Sequence, residues 1–263
     1  LSKLKNTSLA LASGTNITPS SSARNLGFTF DTHLSYHNQI SALSKACFYH
    51  IRDLRRIRQY VSVSMAANIA TSLVHSKLDY CNSLYLNLPQ TELNRLQHIQ
   101  NALARVVTNT RLHDHITPSL QSLHWLKIHE RITYKVMSIT YNVLNTSNPN
   151  YLSSLLSLQP ARNTRSSRLV TLYPPAVTSS RAILNRSFSY SAPRLWNSLP
   201  AKLRLPKCVD SPGLNLLSKS TFLTKLKTHL FTQSYPNESR LIFSSSHNLT
   251  SNPTHTIPPW PPD

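Results

Sequence analysis

The chain has 263 residues, which is enough for one large domain or two small ones with a buried core. It carries 28 Lys and Arg residues against 9 Asp and Glu residues, and the net charge of +19 favours a polyanionic partner, nucleic acid first and an anionic membrane second. No apolar run approaches the roughly 18 residues of a membrane span, the 3 glycines leave no Gly-rich phosphate loop, and the 3 scattered cysteines indicate neither a zinc site nor a disulfide framework.

The first predicted element is a short strand, because the apolar residues Leu26, Phe28 and Phe30 occupy alternate positions. A helical pattern follows over residues 39–61. Its apolar positions recur every three or four residues, as on one face of an amphipathic helix: Ile40, Leu43, Cys47, Ile51, Leu54, Ile57 and Val61.

The opposite face of this first predicted helix is basic. With a helical rotation of about 100° per residue, this face contains Lys45, Tyr49, Arg52 and Arg56, while Arg55 and Arg58 flank the apolar stripe. A helix that follows a phosphate backbone would have such a face, and so would a core helix with a solvated outer side. The near absence of balancing acid, with Asp53 alone nearby, favours nucleic-acid binding.

Further periodic segments predict a bundle of four or five helices over residues 36–158. The second helix, over 62–88, is capped by Ser62 or Ser64, the third follows Pro89, and the fourth follows a turn at Pro118. A short last helix is predicted within 148–158. The predicted inward residues are, in chain order, Met65, Ile69 and Leu73; Leu93, Leu96, Ile99, Leu103 and Val106; then Ile128, Ile132, Val136, Ile139 and Val143. Arg95 and Arg105 lie off the stripe of the third helix.

The composition changes after residue 158. Residues 161–207 hold 9 Lys and Arg residues, no acid and 5 prolines, so residues 159–213 are predicted to be a basic irregular segment. Within it, "SFSYSAPRLWNSLPAKLR" (187–204) matches neither a periodic helix nor a strand. Trp196 either anchors this segment to the helices or stacks on a base, with Arg194 and Arg204 outside. An amphipathic helix is predicted over 214–233, and a disordered tail over 234–263.

Six segments, in one order, carry a family resemblance. Together they resemble the carboxy-terminal third of the reverse transcriptase polyprotein of non-LTR retrotransposons (LINE elements, transposable elements of the jockey-like branch), over roughly residues 20–231. The segments are "NLGFTFDTHLSYHNQI", "SKLDYCNSLYLNLP", "LQHIQNALARVV", "HDHITPSLQSLHWLKIHERITYKV", "NPNYLSSLL" and "SAPRLWNSLPAKLR".

The resemblance implies a fold and a role. Residues 1–35 would be the remnant of the palm edge and 36–158 the thumb-like bundle of an RNA-directed DNA polymerase, in a mainly α fold that a short β segment precedes. The partners would be the RNA and DNA of the template-primer duplex and the rest of the polyprotein, with no membrane. Lys127 stands where the family commonly has a proline, so the helix start there is expected to differ.

The same resemblance implies that this chain is not an enzyme by itself. The family's paired catalytic aspartates, which hold Mg²⁺, have no counterpart here, because the sequence contains no Asp-Asp. No cofactor is therefore expected in this chain, although the parent polymerase would need Mg²⁺. The family location is the nucleus and the cytoplasm, and the apolar run at 9–12 is too short for a signal peptide.

Charge pattern and resemblance together give a set of expected nucleic-acid-binding residues: Lys45, Tyr49, Arg52, Arg55, Arg56, Arg95, Arg105, Arg194, Trp196 and Arg204. Two other interpretations remain. The chain could be a basic helical interaction module or a transposon remnant with no selected activity. A metal site at His113, Asp114 and His115, with His124 and His129, matches no zinc spacing.

Overall fold

A short β segment precedes the helices in the computed structural model, which describes residues 9–10, 12–14, 16–18, 20–160, 169–174, 184–204 and 217–236. These residues are mainly α-helical, as predicted. The predicted disordered tail lies, from residue 237 onward, outside the described residues. Among those residues, no helix has both the length and the apolar character that a membrane crossing requires.

Two small antiparallel hairpins form the β segment. Strands β1 (Leu9–Ala10) and β2 (Asn16–Ile17) pair in the first, and β3 (Ser22–Asn25) and β4 (Phe28–Asp31) pair in the second. Leu26 belongs to the turn between β3 and β4 rather than to the predicted strand. Leu26 and Gly27 both have positive φ, 47° and 82°, which a two-residue turn of the I′ type requires. Phe28, the first residue of β4, is buried.

The first helix, α1 (His37–Ile57), follows its predicted stripe as far as residue 54. The buried side chains are Ile40, Leu43, Cys47, Ile51 and Leu54. Ile57, the last residue of α1, is exposed instead of buried, and a 3-10 turn, Arg58–Tyr60, follows it. Val61, the last predicted residue of the stripe, is half-buried beyond that turn.

The second helix is shorter than predicted and packs through another face. It runs as α2 (Val63–Ala70), a π-helical turn (Thr71–His75) and α3 (Ser76–Asp79), and it ends well before residue 88. Of the two predicted caps, Ser62 and Ser64, it is Ser62 that caps the helix, by accepting a hydrogen bond from the Met65 N–H at 3.2 Å. The buried side chains are Ala66, Ala70, Val74, His75 and Leu78, whereas Met65 and Leu73 are exposed and Ile69 is half-buried.

Close packing explains this correction. Small alanine side chains let α2 approach its neighbours α1 and α4 (Gln90–Thr108), so the larger apolar residues point outward. The π-helical turn then adds a residue to the helical repeat and moves Leu73 out of the core. The prediction took the largest apolar residues as buried, because a sequence pattern shows neither the close packing through alanines nor the π-helical turn.

The remaining helices of the predicted bundle agree with their stripes. In α4, all five predicted residues are buried. After α5 (Thr117–Ser122), α6 (Ile128–Thr146) buries its predicted residues except Ile139, which is half-buried, and α7 (Asn150–Ser153) ends the bundle. Lys127 is the N-cap of α6, and the Ile128 N–H donates to Gln97 Oε1 at 2.9 Å. A side chain of α4 therefore fixes where α6 begins.

The segment at 187–204 is helical, which corrects the irregular structure predicted for it. It forms α8 (Phe188–Ser198) and α9 (Ala201–Arg204), with Pro193 inside α8. Proline costs an interior helical hydrogen bond. Burial of Ala192, Pro193 and Trp196 on one face, with α8 against α6, offsets that cost.

One hydrophobic core joins both sides of the predicted boundary at residue 158. After it, α10 (Lys219–Ser234) buries Phe222, Leu226 and Leu230 and packs on α6. A single cluster of buried residues extends from Phe28 to Tyr235. Trp196 and Phe222 therefore belong to the same core as the helices of residues 36–158.

A group of polar side chains lies inside this core. Arg131 of α6 is 3% exposed, and its guanidinium donates to both carboxylate oxygens of Asp79, with Nε 2.9 Å from Oδ1. Asn82 donates to the same Oδ1 at 3.2 Å. His75 is also buried, with its ring centroid 4.2 Å from that of Trp125. The ion pair of Asp79 and Arg131 thus joins α3 to α6.

We expect the contribution of His75 to the stability of the fold to decrease as the pH falls below about 6.5, because His75 is buried in the neutral form. Burial, and secondly the nearby charge of Arg131, hold the pKa of His75 well below 6.5. Below pH 6.5 the unfolded chain therefore binds a proton that the folded chain excludes. The free energy of unfolding should then fall by up to about 1.4 kcal/mol per pH unit.

Urea denaturation of the wild type and of His75→Gln between pH 7.5 and 5.5 measures this effect. The variant should lose the contribution of one proton to the pH dependence. His113→Gln, at an exposed position, is the matched control and should keep the wild-type dependence. Identical pH dependence in the wild type and His75→Gln would contradict the prediction.

Candidate nucleic-acid interface

The outward face of α1 carries a row of exposed side chains. Lys45, Tyr49, Arg52 and Arg56, called here the α1 basic row, are all exposed, opposite the buried stripe. From Lys45 to Arg56 the helix rises about 16 Å at about 1.5 Å per residue. That length equals the axial rise of about five nucleotides in one strand of a B-form duplex.

The positive charge of the α1 basic row is offset only in part by a neighbouring carboxylate. Asp53 is its neighbouring carboxylate, with Oδ1 4.0 Å from Arg52 Nε and 3.6 Å from Arg56 Nη1. Such exposed pairs contribute little to stability and leave the side chains free to change partner. The Arg52 guanidinium lies 5.1 Å from the centroid of the Tyr49 ring, a cation–π distance. Lys45 makes no ion pair or hydrogen bond with the described part of the chain.

Three of the expected binding residues meet at one groove. Arg55, Arg56 and Arg105 line a cavity of about 510 Å³ at the carboxy-terminal ends of α1 and α4. Arg58, which the sequence placed only beside the apolar stripe, lines it as well. The sequence run "RRIR" at 55–58 could have indicated this residue, because it places three arginines close together at the end of the helix.

Arg95 has a structural role instead. Its guanidinium donates to Glu92 Oε2 at 2.7 Å and to Ser41 Oγ at 2.8 Å. These bonds tie α4 to the first turns of α1. Arg95 is therefore held within the bundle, apart from the α1 basic row.

Trp196 is fully buried, so the expectation that it stacks on a base is wrong for this fold. Its indole Nε1 donates to the Val170 carbonyl at 2.9 Å. The ring stacks on Phe222 of α10, with centroids 5.8 Å apart, and Phe222 stacks on Tyr141 of α6 at 4.4 Å. Trp196 thus anchors both α8 and the segment 169–174, which leaves no ring face for a ligand.

The two arginines near Trp196 differ in exposure. Arg204 is half-buried, its Nε donates to the Leu199 carbonyl at 2.9 Å, and burial lowers its pKa. Arg194 is exposed, and its guanidinium lies 4.8 Å from the centroid of the Tyr190 ring. Arg194 lines a second cleft, of about 430 Å³, together with His129. No residue of α1 lines that cleft, so Arg194 is separate from the α1 basic row.

The histidines considered for a metal site do not converge. Among the described residues, no group of three or more His, Cys, Asp or Glu side chains is placed to hold a metal ion. His129 instead pairs with Glu130 at 3.8 Å, and this carboxylate raises the pKa of the imidazole. The ring of His124 lies 5.8 Å from that of Phe231.

No protein-family model, curated protein or solved structure matches this chain. The resemblance to retrotransposon reverse transcriptases therefore rests on the six sequence segments alone.

Proposed function

We propose that this chain is the thumb and carboxy-terminal part of a LINE-type RNA-directed DNA polymerase, and that it holds the template-primer duplex through backbone phosphates. The α1 basic row is the main support for this proposal: three exposed cations lie on one helix face, with the half-buried Asp53 carboxylate beside them. The row points away from the core, so binding would require no rearrangement of the helices.

Contacts with phosphates, rather than with bases, suit this surface. Long Lys and Arg side chains on a convex helix face reach a phosphate backbone without fixing a base in place. A polymerase must let the duplex move after each nucleotide addition, so contacts that ignore base identity fit the role. Tyr49, exposed within the row, adds an aromatic surface that tolerates any sequence.

The proposal assigns no catalytic residue to this chain. The aspartates and the Mg²⁺ would belong to another part of the polyprotein, which is the second expected partner. The protein would act in the cytoplasm and the nucleus. Three of the expected residues, Arg95, Arg204 and Trp196, are assigned to the fold rather than to the nucleic acid.

We expect the affinity for RNA and DNA to fall steeply with salt concentration, because binding releases counterions from the nucleic acid. If about five phosphates are neutralised, log affinity should change against log salt concentration with a slope of about −3.5 to −4.5. The double variant Arg52→Gln, Arg56→Gln should reduce that slope by about one to two units. Fluorescence anisotropy titrations at several salt concentrations measure both slopes.

A control variant separates the position of the charges from their number. Arg24→Gln with Lys225→Gln also removes two exposed charges, one on β3 and one on α10, away from the row. Its slope should stay near that of the wild type. An equal change in both double variants would argue against a local interface. Absence of binding at low salt would favour the alternative, a basic helical interaction module or a remnant without selected activity.

A further inference from the structure

The cavity at the ends of α1 and α4, called here the arginine groove, is lined by an unusual concentration of positive charge. Nine described residues line it, among them Arg55, Arg56, Arg58, Arg105 and Leu112. Four of these nine residues are arginines, and none is an acid. The α1 basic row is a convex face, whereas this groove is concave and brings side chains of α1 and α4 to one cavity.

Two of the four guanidinium groups are already held in place. Arg58 donates from Nε to the Val107 carbonyl at 2.9 Å and from Nη1 to the Val61 carbonyl at 2.8 Å. Arg105 donates from Nη1 to the carbonyls of Arg111 and Asp114, at 2.7 and 2.9 Å. These partners are neutral, so both arginines keep their full charge. Each guanidinium has five N–H donors, and several therefore remain for a ligand.

The other two arginines are free to adjust. Arg55 is exposed and makes no hydrogen bond or ion pair with the described residues. Arg56 is exposed as well, with its Nη1 3.6 Å from Asp53 Oδ1. The two arginines already held in place lose little conformational entropy when an anion binds, so only the two adjustable side chains have to be ordered. The planar donor fork of arginine matches phosphate oxygens in particular.

We propose that the arginine groove is a phosphate-binding subsite, and that its preferred ligand is a terminal phosphomonoester of a nucleic acid strand. A phosphomonoester carries up to two negative charges near neutral pH, while a phosphodiester within a strand carries one. Four arginines around one cavity favour the higher charge. Leu112, 76% exposed at the groove, offers an apolar contact for the sugar or base next to that phosphate.

The position of Arg56 connects this subsite to the α1 basic row. Arg56 belongs to both surfaces, so a strand that lies along the row reaches the groove at its end. The assignment to a strand end rests on the proposed function, whereas phosphate binding by the groove does not. Free polyphosphates share the same chemistry, and the experiment below separates the two sources.

Two single variants on the same helix test the subsite. Arg55→Gln removes a groove arginine that makes no structural hydrogen bond with the described residues, and Arg52→Gln removes an exposed arginine of the row that does not line the groove. Isothermal titration with pyrophosphate should show about a tenfold loss of affinity in Arg55→Gln, the effect of losing one charge-assisted hydrogen bond. Arg52→Gln should change that affinity less than about twofold. Circular dichroism confirms that both variants keep their helices.

Oligonucleotides then identify the source of the phosphate. Wild-type protein should bind a strand with a 5′- or 3′-phosphate about five- to tenfold more tightly than the same strand with hydroxyl ends, and Arg55→Gln should abolish that difference. Equal affinity for pyrophosphate in wild type and Arg55→Gln would overturn the subsite, even if oligonucleotides bind. Pyrophosphate binding that depends on Arg55, without any oligonucleotide binding, would support the subsite and overturn the proposed function.

Discussion

Replacing Trp196 by alanine should lower the free energy of unfolding by about 3–5 kcal/mol, the usual cost of removing a large buried aromatic ring. The ring is 0% exposed and stacks on Phe222, while its Nε1 donates to Val170. The alanine variant would leave a cavity between α8 and α10 and an unpaired carbonyl at Val170. Urea denaturation followed by circular dichroism measures the loss.

Trp196→Phe is the matched variant, because it keeps an aromatic ring in the stack but removes the indole donor. It should cost about 1–3 kcal/mol, because the smaller ring fills less of the core and the half-buried Val170 carbonyl loses its partner. A Trp196→Ala protein with wild-type stability but weakened nucleic-acid binding would refute the structural role. That result would restore the base-stacking interpretation.

Replacing Asp79 by alanine should also lower the free energy of unfolding, by about 3 kcal/mol. Removing one partner of a buried ion pair typically costs about 3–5 kcal/mol, because the other charge loses its counterion away from water. We expect the lower end of that range, since the Asp79 side chain is 25% exposed while that of Arg131 is 3% exposed. The same denaturation experiment applies.

The chain offers a matched control for Asp79→Ala. Asp53 pairs with Arg52 and Arg56 on the surface, and Asp53→Ala should change stability by less than about 0.5 kcal/mol. Adding Arg131→Met to Asp79→Ala should recover part of the lost stability, because it removes the buried charge. Equal costs for Asp53→Ala and Asp79→Ala would show that burial of Arg131 has no energetic consequence.

Several helices were predictable from the sequence because their apolar residues repeat at the helical period. The buried residues predicted for α4 were correct at every position, and those predicted for α1 were correct up to Leu54. A serine cap at position 62 or 64 was equally predictable, since a cap depends on a local hydrogen bond, which Ser62 accepts from Met65. The exposed basic row on α1 followed from the same periodicity, because the side chains opposite a buried stripe must face the solvent.

The sequence by itself determined the mainly helical fold, the charge and the basic face of α1, since each depends on residues close together in the chain. Tertiary structure alone decided the inward face of α2, the helix around Pro193 and the burial of Trp196. It also assembled the arginine groove, where Arg105 joins arginines about fifty positions earlier in the chain. Such features depend on which side chains, distant in the sequence, share one core or one cavity. Local periodicity does not predict those contacts.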